Sequence, residues 1–576
     1  MTDRRFWKIT ALLCALLMGS ACSDEDLSPK TVAEHLYIDG RIWTGNPSQP
    51  WATAMATRDG QIAAVGTQSE VEQWRGERTE LHDLGGQFVT PGFQDSHLHM
   101  LFTAAPQVDL AGAETLESVQ QRILAFAEGN PDLPWITGFG WAYGAFPDQR
   151  PLSAHLDGVV ADRPVFVRAR DGHMALANTL AMQLGAIDET TPDPENGSIV
   201  RAANGKATGE LREDAMGLLD RLVPPPTEDE RYQALLRSMR MAAAAGITTI
   251  HEAGVSEEDV ELFERAEREG ELLQRVELAF RMIKPEDRNV VPVQAVENHI
   301  RRSGAISARL DGPFVRARSI KGMLDGTIDA TTAAMFDNFV GTDTAGIPFW
   351  EPDVLKATVA MYDEAGFQVI LHAIGDRAIS DALDSFAFAR SANPNSGKRH
   401  RIEHAELPRI DDLARFRELN VTASTQAMFA YPDDTVLTNF AVLLGPERAQ
   451  HTDSFSMWDD AGVRQVFGSD YPVMTLSVLK GIETAVTRMT ESGQPPGGWY
   501  PDGRIPVDAA LRHYTSDSAW SIHDEGERGT LEVGKFADFV VLSENLLDID
   551  PTKISEVEVL QTVMHGRTTF LARQGR

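Results

Sequence analysis

Thr90–Met100 reads T-P-G-F-Q-D-S-H-L-H-M, an extended approach broken at Pro91-Gly92 and followed by His97 and His99, one residue apart. Side chains on an extended segment alternate with a period of two, so both imidazoles leave the chain on one face. Such a pair can grip one metal ion, although an H-x-H pair also occurs on solvated strand faces. The choice turns on whether the chain supplies more ligands.

Four further metal-competent side chains each follow a short apolar run. Lys321 lies in S-I-K-G-M-L-D-G, His372 closes Q-V-I-L-H, His404 closes R-I-E-H and Asp470 follows Q-V-F-G-S. Between them the chain alternates helix and strand. Thr227 and Glu230 form a T-x-x-E capping box, Leu235, Leu236, Met239 and Ala243 give a helical apolar face, and Gly246 ends the helix before I-T-T-I-H runs into His251. The order recurs where A-T-V-A-M-Y-D-E-A-G precedes F-Q-V-I-L-H. Repeated helix-to-strand units imply parallel strands, hence the α/β class, and a chain of 576 residues favours a (β/α)8 barrel over an open sheet. In such a barrel, residues at strand ends converge on one rim.

Both chain ends have a different texture. Short strand-like segments separated by Asp-Gly turns fill Leu36–Val65, and G-T-L-E-V-G-K-F-A-D-F-V-V-L with V-L-Q-T-V-M-H-G-R repeats that texture near the C-terminus. Residues 34–90 and 525–576 are therefore expected to form one small β-sandwich, with the barrel in 91–524. A Trp-, Pro- and Gly-rich stretch at about 110–160, around W-I-T-G-F-G-W-A-Y-G, breaks the barrel rhythm and is expected to be an insertion near the active-site face.

Taken together, P-G-F-Q-D-S-H-L-H, R-D-G-H-M-A-L-A-N, T-G-E-L-R-E-D-A, G-I-T-T-I-H-E-A-G, H-A-I-G-D-R-A, R-I-E-H-A-E, G-S-D-Y-P-V and G-K-F-A-D-F-V-V-L resemble the amidohydrolase superfamily, in particular its YtcJ-like and N-substituted formamide deformylase-like metal-dependent hydrolases. The resemblance implies that His97, His99 and Asp470 hold one metal and His372 and His404 a second. It also implies that a carboxylated Lys321 bridges them in a two-metal site. The alternative is one metal, with Lys321 ion-paired to Asp325. Imidazole and carboxylate ligands suit zinc, which lowers the pKa of bound water toward ~7 and polarises a carbonyl. The expected reaction is hydrolysis of a non-peptide C–N bond by a metal-bound hydroxide, with Asp470 as general base and then acid. Asp171, His173 and Gln426 are candidate substrate contacts, while Glu210, Glu213 and His251 are weaker candidates in supporting roles. Many relatives carry an acid after the Trp of G-W, where this chain has Ala142.

Composition sets the remaining bounds. The net charge of −32 argues against nucleic acid as a partner, since phosphate binding relies on Lys and Arg. Arg4, Arg5 and Lys8 precede the apolar run Ile9–Met18, which ends in G-S-A-C at Cys22. That pattern reads as a signal peptide, residues 1–22, and resembles a bacterial lipoprotein signal lipidated at Cys22, with 23–33 as a tether. Ser23 after the Cys favours the outer membrane, facing the periplasm, over the inner one; an ordinary secretory signal is the alternative. The two cysteines, Cys14 and Cys22, both lie in this segment, so the body of the protein has neither disulfide nor thiol ligand. Small-molecule hydrolysis is the leading expectation, homo-oligomerisation stays open, and esters or cyclic amides fit the same ligands. A catalytically silent ligand-binding lipoprotein is the rival from another class, but its relatives usually lose a metal residue and none of the six is missing here.

Overall fold

A computed structural model describes residues 32–102, 106–286, 288–433 and 435–573. Cys14, Cys22 and most of the expected tether lie outside the described residues. No helix among the described residues is long and apolar enough to cross a membrane.

Pro91-Gly92 is the hand-over between two sheets. Phe88–Pro91 lies between Arg41–Trp43 and Phe539–Leu542 in a six-stranded sheet that both chain ends build. Immediately beyond, Phe93–Leu98 opens the barrel. A side chain at position 92 would meet Thr248 Oγ1 at 2.2 Å, so the crossing demands glycine. A four-stranded sheet of His35–Ile38, Ala54–Arg58, Gln61–Gly66 and Glu80–Asp83 packs on the six-stranded one through Tyr37, Ile42, Met55, Val89, Phe539 and Val563, which makes the expected sandwich. The hairpin at Asp59-Gly60 turns with both residues at positive φ, 51° and 74°, as its Asp-Gly sequence predicts.

The barrel has eight strands: β1 Phe93–Leu98, β2 Ile247–Val255, β3 Arg275–Arg281, β4 Val315–Met323, β5 Gln368–Ala373, β6 Arg401–His404, β7 Thr422–Gln426 and β8 Gln465–Gly468. They lie side by side in chain order and every neighbouring pair is parallel. Helices such as Glu228–Ala244 before β2 and Pro352–Glu364 before β5 cover the outer face and the strands' own side chains fill the inside, which is why β1 and β5 are buried at every position. The capping box at Thr227 and Glu230 starts the first of these helices, and Gly246, at φ 84°, follows its end. β8 returns to β1: Asp470 N donates to His97 O at 2.7 Å and His99 N to Tyr471 O at 2.7 Å. Gly468 permits this approach, because a Cβ there would lie 2.5 Å from His97 N.

Between β1 and β2 the chain builds a separate six-stranded sheet from Val108–Asp109 to Ala207–Glu213, with its own apolar clusters around Trp141 and Val167 and around Phe166 and Leu211. The insertion is therefore longer than the expected 110–160. V-F-V-R-A at Val165–Ala169 has the apolar pattern of a barrel strand, but it pairs parallel to Ile136–Trp141 and antiparallel to Met174–Ala177. Pattern alone does not name a strand's partner.

Candidate active site

The six residues expected to bind metal converge at the C-terminal ends of their strands. His97 is in β1, Lys321 in β4, His372 in β5 and His404 ends β6; His99 and Asp470 lie just past β1 and β8. His404 and Asp470 have positive φ, 71° and 55°, a conformation most side chains avoid. Such strain at strand ends is typical of functional positions, where the surrounding fold holds an otherwise unfavourable backbone.

His97 Nε2 and His99 Nε2 stand 3.4 and 3.3 Å from Asp470 Oδ1, and the three ligand atoms all lie within 4.8 Å of one another. Lys321 Nζ is 3.3 Å from His97 Nε2. The rings of His97 and His404 are 4.8 Å apart and those of His404 and His372 4.5 Å, so the second histidine pair adjoins the first cluster.

Each buried imidazole is oriented by its other nitrogen. His97 Nδ1 donates to Glu403 Oε2 at 2.5 Å, His404 Nδ1 to Gln426 Oε1 at 2.8 Å and His372 Nε2 to Gly326 O at 3.2 Å. That leaves the lone pairs of His97 Nε2, His404 Nε2 and His372 Nδ1 free to face a cation. Burial holds all three rings well below the usual histidine pKa, helped by Lys321 at His97, by His97 at His404 and by His404 at His372. Neutral imidazoles and a carboxylate, tied down from behind, form a donor set that fits a divalent ion. Burial also pushes Lys321 down to about 8, against the pull of Glu403 and Asp470.

The expected alternative partner of Lys321 is engaged elsewhere. Asp325 accepts from the backbone N of Ala334, Ile374 and Gly375 at 2.9, 3.1 and 2.8 Å and faces His372 Nε2 at 3.6 Å. Among the described residues no ion pair joins it to Lys321. Gln426, expected to touch substrate, is fully buried, and its Oε1 accepts from His404 Nδ1. Glu210 is bound to Tyr143 and Arg212 within the inserted sheet, and His251 Nδ1 accepts from Arg401 at 2.8 Å behind the site.

Asp171 and His173 do reach the cavity, delivered by the turn between two strands of the insertion. Burial works against an imidazolium at His173, but Glu213 Oε2, 2.9 Å from its Nδ1, outweighs that cost and pushes it up to about 9. The cavity, about 500 Å³, is floored by His99, Lys321, His372, His404 and Asp470 and walled by Phe139 and Met216 of the insertion and Phe349 and Trp350 after β4.

The motif reading passed over Arg401 and Glu403. Arg401 donates to Glu403 Oε1 at 2.8 Å and to Ser96 O at 2.5 Å, and Glu403 in turn orients His97. The signal was present: charges at alternate positions of a fully buried strand must be paired with something.

Comparison with known proteins agrees with this geometry. The amidohydrolase family model matches residues 80–570. The chain is 30% identical to "Protein LONG AFTER FAR-RED 3" of Arabidopsis thaliana, over 94% of this chain and 92% of that one. It is 28% identical to N-substituted formamide deformylase of Arthrobacter pascens, over 92% and 97%. In fold it is similar to a metal-dependent hydrolase of Pyrococcus horikoshii OT3, with a TM-score of 0.68 at 24% identity over 90% of this chain and 99% of that chain. With a barrel of this order, six candidate ligands gathered at its rim and a match that spans most of its length, the chain belongs to the amidohydrolase family and is a metal-dependent hydrolase.

Proposed function

We propose that the protein hydrolyses a non-peptide C–N bond of a small amide or formamide, with Asp470 moving the proton. The observation that carries this reading is the cluster of His97 Nε2, His99 Nε2 and Asp470 Oδ1 within 4.8 Å, of which His99 and Asp470 line a cavity of about 500 Å³. His97, His99 and Asp470 would hold one divalent ion, zinc by donor type, and His372 and His404 a second, with Lys321 between them as a carbamate. Bound there, such ions lower the pKa of water toward ~7 and polarise the scissile carbonyl.

The chain's own residues do the rest. Asp470 Oδ1 lies at the meeting point of His97 and His99, where it can take the proton of the attacking water and return it to the leaving nitrogen. Glu403 and Gln426 keep the two rings from turning. His173, charged through its pairing with Glu213, stands 5.1 Å from the His372 ring and is placed to donate to a carbonyl or carboxyl oxygen of the substrate. Lys321 suits carbamate formation because burial disfavours its ammonium, and an ammonium offers no lone pair to a cation. We also propose export and lipid anchoring through Cys22, on the charge and apolar pattern of residues 1–22.

Elemental analysis of the purified chain with Lys321→Ala beside it tests the site. Two zinc equivalents falling to one or none in the variant is the expected result; one equivalent in both would sink the two-metal arrangement. A panel of N-alkylformamides, amides, lactams and matched esters, read by amine or alcohol release, tests the bond. Turnover confined to the esters would overturn the C–N assignment.

A further inference from the structure

The metal site opens on a second, smaller space. A chamber of about 60 Å³ shares His173, His372, His404 and Asp470 with the main cavity and extends behind them between Ile328, Phe429, Val436 and Phe440. That is more than the ~10–15 Å³ one water requires, so a small organic group fits. Its polar lining includes four carboxyl groups, Asp171, Asp329, Glu406 and Asp470, beside Arg170 and His173, and His173 is paired with Glu213. Glu406, 3% exposed, lines the chamber and its Oε2 has no hydrogen-bond partner; Asp329 Oδ1 is likewise buried without one. Arg170, also on the wall, is spent on Asp433, with NH1 2.6 Å from Oδ2.

A buried carboxyl with no partner is costly, and several together more so. Asp171, Asp329 and Asp470 line the same chamber beside Glu406. Burial, with Asp171 beside it, pushes Asp329 up to about 7. The combination of apolar walls and buried carboxyl oxygens without hydrogen-bond partners is complementary to a short alkyl stem ending in a cation.

We infer that this chamber is the specificity pocket for a compact cationic nitrogen, a primary ammonium in the simplest case, carried on the substrate a few bonds from the scissile carbonyl, with Glu406 and Asp329 as its counter-charges. The assignment rests on the hydrolase reading of the adjoining metal site. A substrate whose carbonyl sits at Asp470 places one arm in the main cavity and the charged arm here.

The test compares N-(3-aminopropyl)formamide with N-butylformamide, equal in length and differing in a terminal ammonium against a methyl, on the metal-loaded protein at pH 7.5, where the amine is charged. The expected result is a kcat/KM at least ten-fold higher for the cationic substrate, the scale of a hydrogen bond to a charged group. Glu406→Gln should erase most of that preference and Asp329→Asn part of it, each judged by the ratio of the two substrates. Equal kcat/KM in the wild type, or a preference that survives both substitutions, overturns the assignment. If neither formamide is cleaved by metal-loaded protein, the deformylase form of the hydrolase reading fails. Titration calorimetry with 1,3-diaminopropane then decides the chamber separately: saturable binding lost in Glu406→Gln supports the pocket, and no binding to the wild type refutes it.

Discussion

In the proposed reading Asp470 carries the proton chemistry while Glu403 orients the His97 ring, and two substitutions separate those roles. Asp470→Asn keeps an oxygen near His97 and His99 but removes the proton acceptor. Its kcat should fall about 10²–10⁴-fold while at least half of the metal content survives, measured by elemental analysis on the same preparation. Glu403→Gln leaves the reacting groups in place but weakens the 2.5 Å bond that fixes the His97 ring. Metal affinity should drop about 10–100-fold in chelator competition, with kcat at saturating metal changed far less. The candidate ligands were legible in the sequence as an H-x-H pair at His97 and His99 and as polar residues closing strand-like segments at Lys321, His372, His404 and Asp470. Arg401 and Glu403 stood out only as charges at alternate positions of a strand-like segment, and their partners Ser96 and His97 lie 305 and 306 residues away in β1.

At the scale of elements, strand ends positioned the ligands and the outer helices secured them. The helix Val507–His513 ends on a buried imidazole whose Nδ1 lies 2.9 Å from Asp517 Oδ2 and whose Nε2 lies 3.3 Å from Asp459 Oδ1, tying three short helices together. Burial opposes the charged form, but the two carboxylates prevail and push His513 up to about 9. A raised folded-state pKa contributes stability that is complete below the unfolded value of ~6.5 and is lost as pH rises through about 9. Thermal melts should therefore show the wild type ahead of His513→Gln at pH 6 and that advantage reduced, by on the order of 2 kcal/mol, at pH 10. A constant difference across that range would show that the carboxylate pairing contributes nothing. The helix–strand rhythm, the capping box at Thr227 and the Asp59-Gly60 hairpin are local signals and could be read from neighbours in the chain. The extent of the insertion could not, because Val165–Ala169 and Met174–Ala177 are as apolar as barrel strands and differ only in what they pair with.

For the whole molecule, a buried ion pair crosses the junction of barrel and sandwich, beside the apolar packing of Phe88, Val540 and Leu542 on the barrel core. Arg275, in β3 and 1% exposed in its side chain, donates to both oxygens of Asp538 at 2.7 and 3.2 Å and to Pro313 O at 2.7 Å. Asp538 also accepts from His565 N at 2.7 Å, and its carbonyl accepts from Gly92 N at 2.9 Å, at the hand-over where β1 begins. Asp538→Ala leaves a guanidinium buried without its partner, at a cost of about 3–5 kcal/mol. Denaturant unfolding should register that loss, and the Arg275→Met, Asp538→Leu double variant should recover a good part of it.

The sequence by itself determined the class of fold, the order of ligands around the rim and the meeting of both chain ends in one sandwich, because those properties follow from periodicity, turn chemistry and residue type along the chain. Only the tertiary structure decided which nitrogen of His97, His372 and His404 is tied down, that Asp325 serves backbone amides and not Lys321, that Gln426 holds the His404 ring, and that two acids, each with an oxygen lacking a partner, line a chamber beside the candidate metal site. Each of these depends on atoms far apart in the chain being brought within about 3 Å, the range in which a hydrogen bond forms or its absence is felt.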